Sequence, residues 1–287
     1  MQEEIKSKGK CLFCGKMLAK IGINRHLAIH LKEKASRSNA GKSFLVMVET
    51  RKGRASTPYF LCLWIDGKIE MAVFDRFLRD IWLECCDHKS DLRKRQGDMV
   101  KKIKDDFIHN LMEEDKVEEA MRFITMNYFD EADEVSIYDK AERIFKKGVV
   151  LDYDFDYNYH FSSPTPLSIT VIEEYAVEAD SEIVLLSRNE PLAIMCSTCK
   201  KMPAKHICTA CFQYINAIFC DDCAKKHAKS CGTFNNYADR PIVNSPRMGM
   251  CKYKGGKIDK ERDGAFTIKS HKDVTRRKTT KTEIFRK

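Results

Sequence analysis

A chain of 287 residues, 43% hydrophobic and 10% aromatic, is long enough for one large domain or two to three smaller ones with a real core. No apolar run approaches the ~20 residues that cross a bilayer, and MQEEIKSKGK lacks the apolar region of a signal peptide, so we expect a cytoplasmic protein with no membrane contact. The net charge of +9 is uneven: +7 over residues 1–42, −11 over 43–195, +5 over 196–251 and +8 over 252–287, so basic ends bracket an acidic middle and only the ends suit a polyanion.

The first element is CLFCGKMLAKIGINRHLAIH, within a segment taken as residues 1–34. Cys11, Cys14, His26 and His30 have the order and spacing of a two-Cys-two-His zinc finger, with Leu18 and Ile23 as its core residues. Eleven residues separate Cys14 from His26, one fewer than usual. In such fingers the positions that meet base edges fall here on Ala19, Gly22 and Arg25. Only Arg25 can make a bidentate base contact, so the finger is a poor sequence reader. Lys16, Lys20, Lys32 and Lys34 can hold phosphates without reading bases, or form a solvated basic face.

Residues 35–42 form a polar linker. Its GKS ending is not a phosphate loop, because Ser36 stands where the first glycine is needed. From Ser43, SFLVMVET and YFLCLWID read as strands, and VFDRFLRDIWLECC reads as a helix ending at Cys85 and Cys86. Two amphipathic helices follow, marked by Val100, Ile103, Phe107 and Leu111 and by Val117, Met121 and Ile124; a short helix in VSIYDKAERIF is closed by Gly148.

VVLDYDFDYNYH alternates, with Leu151, Tyr153, Phe155, Tyr157 and Tyr159 on one face and Asp152, Asp154, Asp156 and Asn158 on the other. The acidic stripe reads as the wet face of a strand rather than a nuclease metal site, since carboxylates two residues apart are ~7 Å apart. PLSITVIEEYAVE and SEIVLLSRN are further strands. The order strands, helices, strands over residues 43–190 predicts an α+β fold: a mainly antiparallel sheet with packed helices, flanked by small zinc-binding modules.

Residues 191–251 carry C-x2-C-x8-C-x2-C-x8-C-x2-C-x3-H-x3-C, formed by Cys196, Cys199, Cys208, Cys211, Cys220, Cys223, His227 and Cys231. Eight ligands make two tetrahedral sites, so with the finger we expect three zinc ions. Interleaved pairing joins Cys196, Cys199, Cys220 and Cys223, leaving Cys208, Cys211, His227 and Cys231; sequential pairing joins the first four and the last four. Analogy with cross-brace modules favours interleaving. His206 is a reserve ligand. Cys85 and Cys86 read as buried structural cysteines ahead of reactive thiols, His88 and His160 lack a visible catalytic partner, and Cys251 reads as packing back on the zinc module, with a ligand role as the minority reading. Residues 252–287 read as a disordered basic tail containing Arg276, Arg277 and Lys278.

FLRDIWLECCDH, LDYDFDYNYHF, LLSRNEP and PIVNSPRMGMCKY together resemble uncharacterised microbial proteins with a Ri-plasmid ORF-3-like (MM-type) α+β domain. Some of those also have an N-terminal finger and a C-terminal cysteine cluster. The resemblance covers most of residues 11–255 and implies architecture rather than activity. Here Asn158 and Tyr159 replace the family's glycine turn, the helical stretch 89–135 is expanded, and the tail is extra. Nothing points to catalysis. The expectation is an accessory or regulatory factor of mobile-element origin that touches nucleic acid through its basic ends. The alternative is a protein-interaction adaptor with structural zinc modules; an enzyme using the acidic strand ranks third.

Overall fold

The computed structural model describes residues 7–37, 40–50, 58–96, 98–128, 134–145, 153–212 and 214–263. Strands β1 (Lys8–Lys10) and β2 (Met17–Ala19) form a small antiparallel pair that leads into helix α1 (Lys20–Ala35). Next come β3 (Ser43–Thr50), β4 (Phe60–Asp66) and α2 (Met71–Leu78), whose last turn widens into a π-type turn at Arg79–Leu83. Strand β5 (Ser90–Gln96), helices α3 (Asp98–Glu113), α4 (Val117–Tyr128) and α5 (Ala141–Ile144), and strands β6 (Tyr153–Tyr159), β7 (Thr165–Tyr175) and β8 (Ile183–Arg188) complete the middle of the chain.

These strands build one six-stranded sheet in the order β5-β6-β7-β3-β4-β8, antiparallel throughout. The α+β expectation holds. β3 and β4 lie in the middle and are buried on both faces, which is why SFLVMVET and FLCLWID read as unbroken apolar runs rather than as alternation. β6 lies nearer the edge. Phe155, Tyr157 and Tyr159 point into the core, while Asp154 and Asp156 stay half-buried on the opposite face; Leu151 and Asp152 lie outside the described residues.

One face of the sheet packs against α2, the π-type turn and α5 through Phe44, Leu63, Phe74, Trp82, Phe145 and Phe155. The other face receives the finger. Ile23, Leu27 and Leu31, one turn apart on α1, are fully buried against Leu45, Met47, Cys62 and Trp64. The finger is therefore a layer of the main domain, and the sheet is sandwiched between two helical layers.

Several boundaries differ from the sequence reading. The helix expected to reach Cys86 ends at Leu83, so Cys85 and Cys86 sit in a turn. β5 was hidden in a charged stretch: SDLRKRQ is an edge strand that buries Leu92 beside Tyr157 and leaves Arg93 exposed. The short helix covers only Ala141–Ile144, and Gly148 lies outside the described residues. So do the side chains of Val100, Ile103 and Ile124, whereas Leu111 is buried and Phe107, Val117 and Met121 are largely exposed.

A second, three-stranded sheet is formed by β9 (His206–Cys208), β10 (Ile218–Phe219) and β11 (Asp239–Pro241), in the order β10-β9-β11. Helix α6 (Asp221–Ala228) packs beside it. Beyond β11 the chain returns to the main domain. Asn189 and Asn244 bond to each other, Nδ2 to Oδ1 at 2.6 Å and Nδ2 to backbone O at 2.8 Å. Ser245 donates to Trp82 O at 2.7 Å. Arg188, with no exposed surface, pairs with Asp259 and Asp263. Residues 252–263 are thus packed rather than tail-like, with Tyr253 1% exposed; from residue 264 onward, including Arg276, Arg277 and Lys278, the chain lies outside the described residues.

Candidate metal centres

Cys11, Cys14, His26 and His30 bring their ligand atoms within 4.8 Å of one another. Cys14 Sγ lies 3.2 Å from His26 Nε2, which lies 3.2 Å from His30 Nε2. The local geometry follows from the sequence. Gly15 takes a left-handed φ of +77°, and its amide donates back to Cys11 O at 2.8 Å, closing a turn that points both sulfurs the same way. The histidines, four residues apart on α1, share one helical face.

The C-terminal cluster groups as Cys196, Cys199, Cys220 and Cys223, and as Cys208, Cys211, His227 and Cys231. This is the interleaved arrangement. It arises because Ser197, inside the first C-x2-C pair, donates its amide and hydroxyl to Ile218 O on β10 at 2.8 and 2.7 Å, setting that pair beside the third, while α6 carries Cys223 and His227 on adjacent turns, one for each group. A tetrahedron with ~2.3 Å metal–sulfur bonds has edges of about 3.8 Å. Cys199–Cys220, Cys208–Cys231 and Cys211–Cys231 are 3.9, 3.9 and 3.7 Å.

The donor chemistry fits a divalent metal. Burial pushes the Cys196 thiol up, but the amides of Cys199, Cys220 and Thr198 outweigh it and bring its pKa down to about 6, whereas burial and the neighbouring thiols push Cys223 of the same group up to about 12. His227 Nε2 is buried with no hydrogen-bond partner among the described residues, which ligation would supply. The His227 ring is held between Phe219, stacked at 4.5 Å, and Phe234 at 5.2 Å. His206, the reserve ligand, belongs to neither group; its two nitrogens face Asp239 at 3.0 Å and Asp221 at 3.1 Å.

A fourth group contains residues that the sequence reading kept apart. Cys85, Cys86, His88 and Cys251 bring their ligand atoms within the same 4.8 Å. Cys251 was expected against the zinc module, but it lies across from the turn after α2, because Arg247 and Ser245 dock that segment on the main domain. Cys251 is 163 residues beyond His88, so no sequence spacing could reveal the group.

The finger's basic residues divide into two sets. Lys20 pairs with Glu49, Lys32 with Glu173 at 3.0 Å and Lys34 with Asp180. Lys34 Nζ also stands 4.9 Å from the Trp64 ring. Three of the expected phosphate holders are therefore turned onto the acidic sheet domain. Lys16 and Arg25 are exposed.

Asp154 accepts a hydrogen bond from Thr170 Oγ1 at 2.9 Å, and neither it nor Asp156 belongs to a potential metal group among the described residues. A cavity of about 410 Å³ lies on the other side of β6, lined by Asp75, Ser90, Asp91 and Tyr157 among others. In it Asp75 accepts from Tyr157 Oη at 2.6 Å and from Ser90 Oγ at 2.5 Å. Burial and the Asp75 carboxylate push the Tyr157 hydroxyl's pKa well up, so it stays a hydrogen-bond donor.

No protein-family model matches the chain, and no curated protein matches it. Among solved structures it is similar to a protein of unknown function from Methanosarcina mazei Go1, with 9% identity, a TM-score of 0.33, and coverage of 54% of this chain and 72% of that one. That likeness sets the chain beside an uncharacterised protein and says nothing about what it does. Among the described residues, no helix is long and apolar enough to cross a membrane.

Proposed function

We propose that this protein is a non-catalytic, zinc-braced interaction scaffold, in which the finger and the interleaved module hold structural zinc and the assembled surface docks a protein partner. Burial of Ile23, Leu27 and Leu31 carries the reading, because a finger helix bound along a sheet serves as a structural layer. Two further features support it. Each of these metal groups offers four protein ligands, the closed shell of a structural site, whereas catalytic zinc keeps a position for water. The zinc module also exposes Phe212, Tyr214 and Ile215 on one short loop, with Tyr214 83% exposed; aromatic residues of this kind serve as anchors in protein interfaces.

A nucleic-acid-associated accessory role is the second reading, favoured by the +8 charge of residues 252–287. Under it, Lys16, Arg25 and the Arg276–Lys278 run would carry phosphate contacts. A mobile-element origin belongs to this reading too.

The deciding experiment pairs two assays on the zinc-loaded full chain. In a pull-down from nuclease-treated lysate, the scaffold reading expects a stable protein partner that is lost in the Tyr214→Ala variant. In a titration with duplex DNA, single-stranded DNA and RNA at several salt concentrations, it expects no binding that survives physiological salt. Tight, salt-steep nucleic-acid binding without a nuclease-resistant partner would overturn it in favour of the second reading.

A further inference from the structure

We infer that Cys85, Cys86, His88 and Cys251 form a fourth metal site, taking a tetrahedral zinc-class divalent cation that staples the C-terminal segment to the main domain. The inference rests on the reading above that the chain is a zinc protein, and extends it to residues outside both zinc modules.

The donor set is three thiols and one imidazole, as in the second site of the C-terminal module. The distances suit one ion: Cys86 Sγ lies 3.5 Å from Cys251 Sγ, and Cys251 Sγ lies 3.6 Å from His88 Nε2. Both are close to the tetrahedral edge of about 3.8 Å set by ~2.3 Å bonds to sulfur.

The surroundings hold the ligands on a fixed frame. Tyr159 is fully buried; its Oη accepts from the amides of Cys85 at 3.4 Å and His88 at 3.3 Å, and donates to Glu84 Oε1 at 3.1 Å. That anchors the turn between α2 and β5 to the end of β6. Asp87 and Cys251 take left-handed φ values of 56° and 49°, so each ligand-bearing segment carries a sharp local bend. The His160 ring packs against His88 at 3.6 Å and fixes its orientation.

Charge points the same way. A divalent ion with three thiolates and a neutral imidazole carries a net negative charge. Arg247 is fully buried, and its Nη2 donates to Cys85 Sγ at 3.7 Å, so a cation already lies behind the thiolates. Arg247 is itself fixed by Ser163 O at 2.6 Å and Thr165 Oγ1 at 2.8 Å, and lies 5.1 Å from the Tyr159 ring. The site would close a loop of 165 residues between Cys86 and Cys251, tying the zinc module's exit to the sheet.

The test is elemental analysis of the full chain purified under reducing conditions with zinc as the probe, together with alkylation of free thiols. Four zinc ions per chain are expected, one for each group, and three in the Cys86→Ser and His88→Asn variants. Cys86 is exposed, so its serine variant should keep the fold, and unchanged far-ultraviolet circular dichroism checks that. Three ions in the parent chain, a count unmoved by Cys86→Ser, or a Cys86–Cys251 disulfide in place of metal would each overturn the inference while leaving the other three sites standing. A chain with no zinc would fail the broader zinc reading as well.

Discussion

The guanidinium of Arg188, at the end of β8, is fully buried and lies 3.0 Å from the carboxylate of Asp263, near the end of the described chain. Asp259 completes the pairing at 3.1 Å, and Asn244 O accepts from the same guanidinium. A buried charge needs an opposite charge beside it, so this contact fixes where the C-terminal segment lies. Arg188→Met is expected to strand Asp263 and destabilise the protein by about 3–5 kcal/mol, read from chemical denaturation. Loss of less than about 1 kcal/mol would mean that the segment is held by other contacts.

The finger should be energetically part of the sheet domain. Leu27→Ala removes a fully buried side chain from the α1–sheet interface and should cost about 2–5 kcal/mol. Denaturation followed both by finger metal release and by tryptophan fluorescence should show one coincident transition, because Trp64 lies under α1. Two separated transitions would show an independently folding finger.

Chelation should act unevenly. The module around β9, β10 and α6 has a small core made largely of its own cysteines, so metal removal is expected to unfold it. The six-stranded sheet has a large apolar core of its own and should persist. Hydrogen exchange after chelation checks this: residues 196–238 should lose protection, while β3, β4 and β7 keep most of theirs. Equal loss everywhere would contradict it.

The lysines of α1 should contribute little to polyanion binding. Replacing Lys20, Lys32 and Lys34 together by alanine removes three ion pairs with the sheet domain and should leave any nucleic-acid salt slope unchanged, within one released counterion or so. Deleting residues 264–287 should flatten whatever slope exists. A slope reduced by about three in the lysine variant would show that those pairs open for phosphates.

Much of this architecture is legible in the sequence where the signal is local. The spacing of Cys11, Cys14, His26 and His30, the strand in SFLVMVET and the alternation of DFDYNY all lie within short windows; the structure gathers the four residues, forms the strand and keeps the alternation. The eight Cys and His residues of the C-terminal module are legible too, but their grouping depends on a contact the spacing does not show, Ser197 on Ile218 O. What stayed hidden is non-local. The gathering of Cys85, Cys86 and His88 with Cys251, the partners of Arg188, and the docking of α1 on the sheet join residues far apart in the chain. β5 was hidden for a different reason: an edge strand needs only one buried side chain, Leu92, and the rest of SDLRKRQ reads as solvated loop.

The central claim is that the finger braces the sheet. Cys14→Ser in the full chain, followed by hydrogen exchange of β3 and β4, tests it most directly, because Cys14 is exposed and its side chain is absent from the sheet core. Loss of the finger metal is expected to loosen α1 and raise exchange at Leu45, Met47, Cys62 and Trp64. Unchanged protection at those four residues, with the finger metal gone, would contradict the claim and return the finger to the role of an independent binding module.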